Sequence, residues 1–288
     1  MVPTDRLDDL LERFTVRARQ FHTGPLCGRR RFEPVTGRGF LHILRAGELT
    51  IFDGPDGARR LVAEPTVLFY PRGHDHSFQT EGIGVDLACA TLEFDGGDDN
   101  PLVRALPDVL TVPIAEVSGL EGSLGLLFDE IDDFRCGHRH VVDRLFEITL
   151  IKLLRWLLDH SKDAGLRPGL LEGMADPQLA RALTAMHADP GHQWTLAELS
   201  ATAHMSRSGF VARFSELMGS TPHGYLTDWR ILVGQQLLRR GDPVSRVANE
   251  LGYTGSSFSR LFTQRVGSSP RAWLASTKET ADHATIVG

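Results

Sequence analysis

Two stretches about fifty residues apart follow one pattern, and this repetition limits the possible folds more than any other feature of the 288-residue chain. The first runs from Thr195 to Met218, TLAELSATAHMSRSGFVARFSELM. Leu196, Leu199, Ala203 and Met205 supply the apolar spacing of a short helix and a turn. Ser206 is placed to cap a second helix, because its hydroxyl can accept a bond from an unpaired first-turn N–H. Phe210, Phe214 and Leu217 recur at helical spacing and face inward, which leaves Arg207, Ser208, Val211 and Arg213 on the outer side and flanks. The second stretch, Pro243 to Val266, PVSRVANELGYTGSSFSRLFTQRV, opens with a proline suited to a first helical turn. Val247, Ala248 and Leu251 are apolar, and Gly252 ends the helix. Ser256 or Ser257 can cap the next helix, where Phe258, Leu261 and Phe262 point inward and Ser259 and Arg260 outward. One long helix, Thr221 to Arg240, is expected to join the two units.

A short helix, a tight turn and a second helix with an exposed polar face form a helix-turn-helix, whose second helix fits the DNA major groove. Charge agrees once it is divided. The whole chain carries −6, but Pro177 to Thr277 holds ten Arg and no Lys against three Asp and three Glu. That balance of +4 leaves −10 for the rest, the partition expected of a chain that meets phosphate with one end. Arg207, Ser208, Val211 and Arg213 on the first outer helix, and Ser256, Ser257, Ser259 and Arg260 on the second, are the candidate DNA contacts. Arginine can reach guanine edges or phosphate, and serine either.

The tandem resembles the DNA-binding domain of AraC-type transcription regulators. The matching residues are TLAELSATAHMSRSGFVARF, then TPHGYLTDWRILVGQQLL, then VANELGY, FSRLF and GSSPRAWL, over roughly Pro177 to Leu274. The pattern departs in two places: Ala212 stands where Arg is usual, and the turn from Tyr253 to Phe258 is one residue shorter. The resemblance implies a transcription activator that binds double-stranded promoter DNA as a homodimer and works with RNA polymerase.

The first half reads differently. Asp5 to Arg19 has helical spacing, with Leu7, Leu10, Leu11 and Phe14 on one face, and is expected to pack on the domain that follows. From Phe21 to about Phe94 come short β-like runs: Gly39–Leu44, Glu48–Phe52, Arg59–Val62, Thr66–Tyr70 and Val85–Glu93. They are broken by turn chemistry at Asp53-Gly54-Pro55-Asp56-Gly57 and Pro71-Arg72-Gly73. This density of strands predicts a sandwich or barrel. His42 with Ala46-Gly47-Glu48-Leu49, the Pro71, Gly73 and His76 spacing, and LACATLEFDGGDDNPLVRALPDVLTV resemble the cupin sensor domains fused to AraC-type modules. Leu120 to Ser161 is helical again, with Leu124, Leu127, Phe128 and Ile131 on one face of a first helix. Val141 to His160, with Leu145, Ile148, Leu150, Ile151, Leu154 and Leu157, is apolar around much of its girth. The resemblance makes this pair a dimerisation element; simple packing on the barrel is the alternative. The expected organisation is α+β and multidomain: a cupin or jelly-roll-like β-barrel at 1–115, a helical dimerisation segment at 116–161, a linker at 162–176, an all-α tandem helix-turn-helix domain at 177–277 and a tail at 278–288.

Three cysteines argue against a disulfide framework. Cys27, beside Arg29, Arg30 and Arg31, and Cys89 resemble in placement the cysteines of the branch of this family that responds to reactive chlorine. Oxidation of a thiolate to a sulfenic acid or disulfide is the chemistry that this implies. Small buried residues without a signalling role are the other reading of both positions. His42, Glu48 and His76 occupy the places where cupin enzymes hold a metal, but Leu44 replaces the second His of the usual pair. No cofactor is expected, with a metal ion in the barrel as the alternative, and an organic ligand remains open as the signal. A cupin metalloenzyme with a helical appendage is the rival from another class. Asp75 between His74 and His76 has no nucleophile with a supporting motif, and there is no P-loop or GxGxxG. The acidic run Asp129, Glu130, Asp132 and Asp133 reads as a solvated helix face. No apolar run reaches the length of a membrane span, and MVPTDRLDDLLERF is not a signal peptide, so a cytoplasmic location is expected.

Overall fold

The computed structural model describes residues 5–53, 58–80, 84–162 and 164–277. The Asp53 to Gly57 turn beyond Asp53 and the 278–288 tail lie outside them. The chain forms two compact units: Phe14–Ala175, and Met1–Arg13 together with Asp176–Gly288.

Among the described residues the first unit holds nine strands: β1 (Val16–Leu26), β2 (Arg29–Phe32), β3 (Arg38–Ala46), β4 (Leu49–Asp53), β5 (Ala58–Val62), β6 (Thr66–Tyr70), β7 (His76–Gln79), β8 (Val85–Phe94) and β9 (Leu110–Pro113). They form two antiparallel sheets, ordered β1-β8-β3-β6-β9 and β2-β7-β4-β5. Phe32, Phe40, Leu44, Ile51, Leu68, Tyr70, Phe78, Leu87 and Cys89 belong to one buried core. Two open cupin-like sheets therefore stand where a closed barrel was expected. One reason lies at β1, whose outer edge bonds to a helix instead of a strand. The N–H groups of Gln20 and Ala18 donate to Asp143 Oδ1 at 2.8 Å and Glu147 Oε1 at 3.0 Å. Both carboxylates belong to α4 (His138–Asp159), so charged side chains satisfy an edge that would otherwise invite pairing.

Strands β3 and β6 are buried along nearly their whole length, so both faces are covered. Four strands escape the sequence pattern. β1 carries Arg, Gln, His, Gly and Pro, β2 opens with three arginines, and β7 and β9 have only four residues each. The expected helix Asp5 to Arg19 is cut short accordingly. Helix α1 spans Asp8–Arg13, and Val16 onward pairs with Phe94 and its neighbours on β8. In order, α2 (Pro101–Ala105), α3 (Leu120–Asp132), α4 and α5 (Leu170–Ala175) complete the unit. The expected linker thus contains a helix, because Leu170, Leu171 and Met174 form a short buried stripe. Ile148, expected to be buried, is 40% exposed on α4.

The second unit is helical: α1, α6 (Pro177–Ala188), α7 (Leu196–Thr202), α8 (Arg207–Met218), α9 (Pro222–Arg239), α10 (Val244–Glu250), α11 (Gly255–Val266) and a further helix over 270–277. Helix α1, expected to pack on the domain that follows it, belongs to this helical unit and packs on α6. Leu10 is fully buried there. Beneath lies His187, whose Nε2 is 2.5 Å from the Tyr225 hydroxyl and whose ring stacks on Trp229. Burial, and secondarily the Arg13 charge at the end of α1, hold the His187 pKa down to about 3. Among the described residues no helix is long and apolar enough to cross a membrane.

Candidate nucleic-acid interface

The two helix-turn-helix units are built from matching parts at a fixed offset of 48 residues. Ser206 and Thr254 are the N-caps of α8 and α11, accepting bonds from Gly209 N–H and Ser257 N–H. The second cap is Thr254 and not Ser256 or Ser257, because α11 begins at Gly255 and puts both serines in its first turn. Phe210 and Phe214 pair inward with ring centroids 5.5 Å apart; Phe258 and Phe262 do so at 5.7 Å. Gly219 and Gly267 end the helices in left-handed conformation. Each turn closes by one backbone bond five residues back, Met205 N–H to Ser200 O at 2.9 Å and Tyr253 N–H to Ala248 O at 2.8 Å. The left-handed residue at each turn is His204, φ 55°, and Gly252, φ 75°.

The outer faces follow from this register. On α8, Arg207, Ser208, Ala212, Ser215 and Glu216 are exposed, with Val211 and Arg213 half-buried. On α11, Ser256, Arg260, Thr263 and Gln264 are exposed, with Ser257 and Ser259 half-buried. Four of the expected contacts have partners within the protein, Ser256 Oγ among them at 3.2 Å from the Thr254 hydroxyl. Arg213 bonds Asp176 Oδ2 and Glu216 Oε2, each at 3.1 Å, and those bonds raise its pKa. Ser259 Oγ donates to Gly255 O at 2.8 Å, and Ser257 Oγ lies 2.9 Å from the capping hydroxyl of Thr254. Arg207, Ser208, Ser256 and Arg260 remain on the open surface, and Arg260 makes no ion pair among the described residues. Ala212, Ser215, Thr263 and Gln264 share these exposed faces but were not among the expected contacts; aligning the repeats at their 48-residue offset places them there.

Helix α9 binds the two units together. Arg230 is 3% exposed, and donates from Nε to Pro190 O at 2.5 Å and from Nη2 to His192 O at 2.7 Å. Its Nη1 reaches the Tyr253 hydroxyl at 3.1 Å, and the guanidinium lies over the Tyr253 ring. Pro190 and His192 precede the first unit; Tyr253 is in the turn of the second. Gly191 and Gly252 bring the same two segments so close that a Cβ on either would strike backbone of the other segment. Gln193 Nε2 adds a bond to Gly252 O at 3.1 Å.

A family described as cupin matches residues 5–159, more than half of the chain, and one described as a helix-turn-helix domain matches residues 199–276. The chain belongs to this cupin family and carries a helix-turn-helix domain after the cupin region. A putative AraC-like transcription regulator of Streptomyces antibioticus is 36% identical over 173 residues, covering 59% of this chain and 56% of that protein. This chain thus spans just over half the length of that relative. The HTH-type transcriptional regulator MtrA of Neisseria gonorrhoeae is 27% identical over 266 residues, 83% of this chain and 87% of that protein. The RCS-specific HTH-type transcriptional activator RclR of Escherichia coli is 32% identical over 114 residues, 39% and 40% of the two chains. These relatives are named as regulators, and the metalloenzyme alternative is set aside.

In the cupin unit, His42 on β3 and His76 on β7 meet Nε2 to Nε2 at 2.9 Å. His76 Nδ1 donates to His74 O at 2.8 Å, so its Nε2 accepts from His42 Nε2–H, and His42 Nδ1 is left buried without a partner among the described residues. Burial holds both rings neutral: His42 falls well below the ordinary range and His76 to about 4. The His76 ring stacks on Tyr70, whose hydroxyl meets Asp53 at 3.3 Å, and Asp53 pairs with Arg60. Glu48 does not join them. It is exposed in the turn between β3 and β4, and the expected set of His42, Glu48 and His76 is not assembled. Among the described residues no three His, Cys, Asp or Glu side chains are placed to hold a metal. Two imidazoles bonded to each other, without the carboxylate, do not fit one.

The buried histidines predict an acid sensitivity. Unfolded His76 titrates near 6.5 and the native one near 4, so between those values the unfolded chain binds more protons and stability falls as pH is lowered. A loss on the order of 1–3 kcal/mol is expected from pH 7 to pH 4.5 for this group. Thermal melts of His76→Phe, compared with the native chain across that range, should show a shallower loss.

Cys27 and Cys136 are exposed and Cys89 is buried, none in a disulfide. Cys27 follows β1 and its Sγ sits against Gly84. Cys89 lies in the inward row of β8, paired in register with His22 on one side and His42 on the other. Burial raises its thiol pKa far above the ordinary value, so it stays protonated. Leu26 pairs with Val85 and His22 with Cys89, which puts Cys27 about five strand positions from the Cys89 row. At about 3.3 Å per position the Cα atoms are roughly 15 Å apart, beyond the ~7 Å reach of a disulfide. The structure does not bring the two together. Arg31 is paired with Asp75, and Arg29 with Ser77 and the Phe52 ring.

Proposed function

We propose that the chain is a DNA-binding transcription activator whose cupin unit senses a signal and whose α8 and α11 enter successive major grooves of promoter DNA. The observation that carries this reading is the pair of recognition helices held by Arg230 in one domain, each with a capped N-terminus and an exposed outer face. Arg260 is the leading base contact. Its replacement by Ala is expected to weaken specific binding by about 1–3 kcal/mol. The test is titration of the full chain on promoter duplexes over a range of salt. A steep log–log salt dependence supports the reading; a flat response, or an Arg260→Ala chain that binds its operator as well as the native one, counts against it.

Dimerisation and RNA polymerase contact belong to the same proposal. Leu126 and Phe134 are 62% and 79% exposed, and Val141 and Ile148 add apolar surface on α4. Exposed apolar side chains on these two helices suit contact with a second copy of the chain. Sedimentation of Leu126→Glu against the native chain checks this.

For the signal, we propose oxidant, received first at Cys27. Its exposure, the buried state of Cys89 and the likeness to RclR support that order. A disulfide between them then requires the segment Gly24 to Gly28 to move, and this movement would be the output. Hypochlorite treatment, thiol mapping by mass spectrometry and transcription assays of Cys27→Ser and Cys89→Ser test it. Cys27→Ser is expected to abolish the response. If both variants respond like the native protein, the cupin unit should be screened with organic ligands instead.

A further inference from the structure

The 48-residue offset sets side chains of opposite chemistry at one position of the two recognition helices. Arg260 on α11 corresponds to Ala212 on α8, and both are exposed. Around Ala212 the outer face of α8 offers Ser208, Ser215 and the half-buried Val211. The neighbouring cation, Arg213, is neutralised by Asp176 and Glu216. Asp176 also caps α6, its Oδ1 accepting from Gln178 and Leu179 N–H at 2.9 Å, so Arg213 is tied to a fixed point of the fold. The middle of the α8 face therefore carries methyl and hydroxyl groups and no unpaired charge, while the middle of the α11 face carries a guanidinium.

The major groove has one apolar feature, the thymine C5-methyl, whereas the guanine O6 and N7 acceptors match a guanidinium fork. We propose that the two units read different base chemistry: α8 recognises thymine methyl groups through Ala212, flanked by Val211, and α11 recognises guanine through Arg260. The operator is then asymmetric, with a thymine-defined half-site and a guanine-defined half-site about one helical turn (roughly 34 Å) apart. The inference rests on the proposal that the domain binds duplex DNA.

The experiment selects duplexes from a random-sequence library with the full chain, then resynthesises the best-bound duplex with each thymine replaced in turn by deoxyuridine. Loss of one methyl in the first half-site is expected to weaken binding about fourfold, the worth of one buried methyl-sized group. Ala212→Gly should bind thymine and deoxyuridine duplexes equally. Ala212→Arg should select guanine in that same half-site, and Arg260→Ala should lose the guanine preference of the other. The thymine-to-deoxyuridine ratio is internal to each variant, so a partly unfolded preparation does not mimic the effect. Deoxyuridine that is silent at every position overturns the inference, as does selection by Ala212→Arg of the same bases as the native chain. Either result leaves DNA binding intact. If no duplex is enriched at all, the DNA-binding reading falls with it.

Discussion

Replacing Arg230 by Met is expected to lower the stability of the C-terminal unit by about 3 kcal/mol or more. Hydrogen bonds from a charged group to buried acceptors contribute about 1.5–3 kcal/mol each, and Arg230 makes three polar contacts, two of them to main-chain carbonyls. Methionine fills much of the same volume but leaves the carbonyls of Pro190 and His192 and the Tyr253 hydroxyl without their donor. Lysine should not rescue the loss, because a single ammonium cannot reproduce a planar fork that serves two carbonyls and lies over a ring. The melting temperature should fall by roughly 10–20 °C, read by calorimetry on the full chain. Binding to a two-half-site duplex should fall further than binding to either half alone, since Arg230 joins the segment before α7 to the turn before α11. A variant that melts within a few degrees of the native chain would remove Arg230 from this role.

Gly252→Val should be at least as damaging, by about 3–5 kcal/mol. Two costs combine. The residue sits at φ 75°, a conformation that β-branched side chains almost never adopt, and its Cβ would run into the Gly191 carbonyl. Gly267 separates these terms. It has φ 84° but nothing within 4 Å of an added Cβ, so Gly267→Ala carries the conformational cost alone, about 1–2 kcal/mol. Gly252→Val and Arg230→Met disrupt the same junction, so their effects should sum to less than the two taken singly. Urea unfolding of the two single variants and the double variant measures this. Full additivity would show that the glycine contact and the arginine contact act independently.

The C-terminal unit was legible in the residues because its signals are local. A serine before a helix, phenylalanines four apart and a glycine after the last turn act within one or two turns of the chain, and they occur twice. Ser206 as a cap, Gly252 as a stop and the inward Phe210, Phe214, Phe258 and Phe262 follow from spacing alone. Strands β3, β4, β5, β6 and β8 were legible for the same reason, where apolar runs are bounded by turn residues, whereas β7 was not. Tertiary structure decided what depends on partners distant in sequence. β1 is a strand because β8 and the carboxylates of Asp143 and Glu147 satisfy its backbone, although its own residues have no strand pattern. Helix α1 buries Leu10 against α6, more than 160 residues onward. Arg213 is held to Asp176, 37 residues upstream, instead of standing free on the outer face of α8. Glu48 stays in a turn while His42 and His76 meet each other, and Cys89 ends several strand positions from Cys27. Spacing along the chain determines which face of an element a residue occupies. Which charge neutralises it, and which distant backbone it closes, is set only when the elements pack.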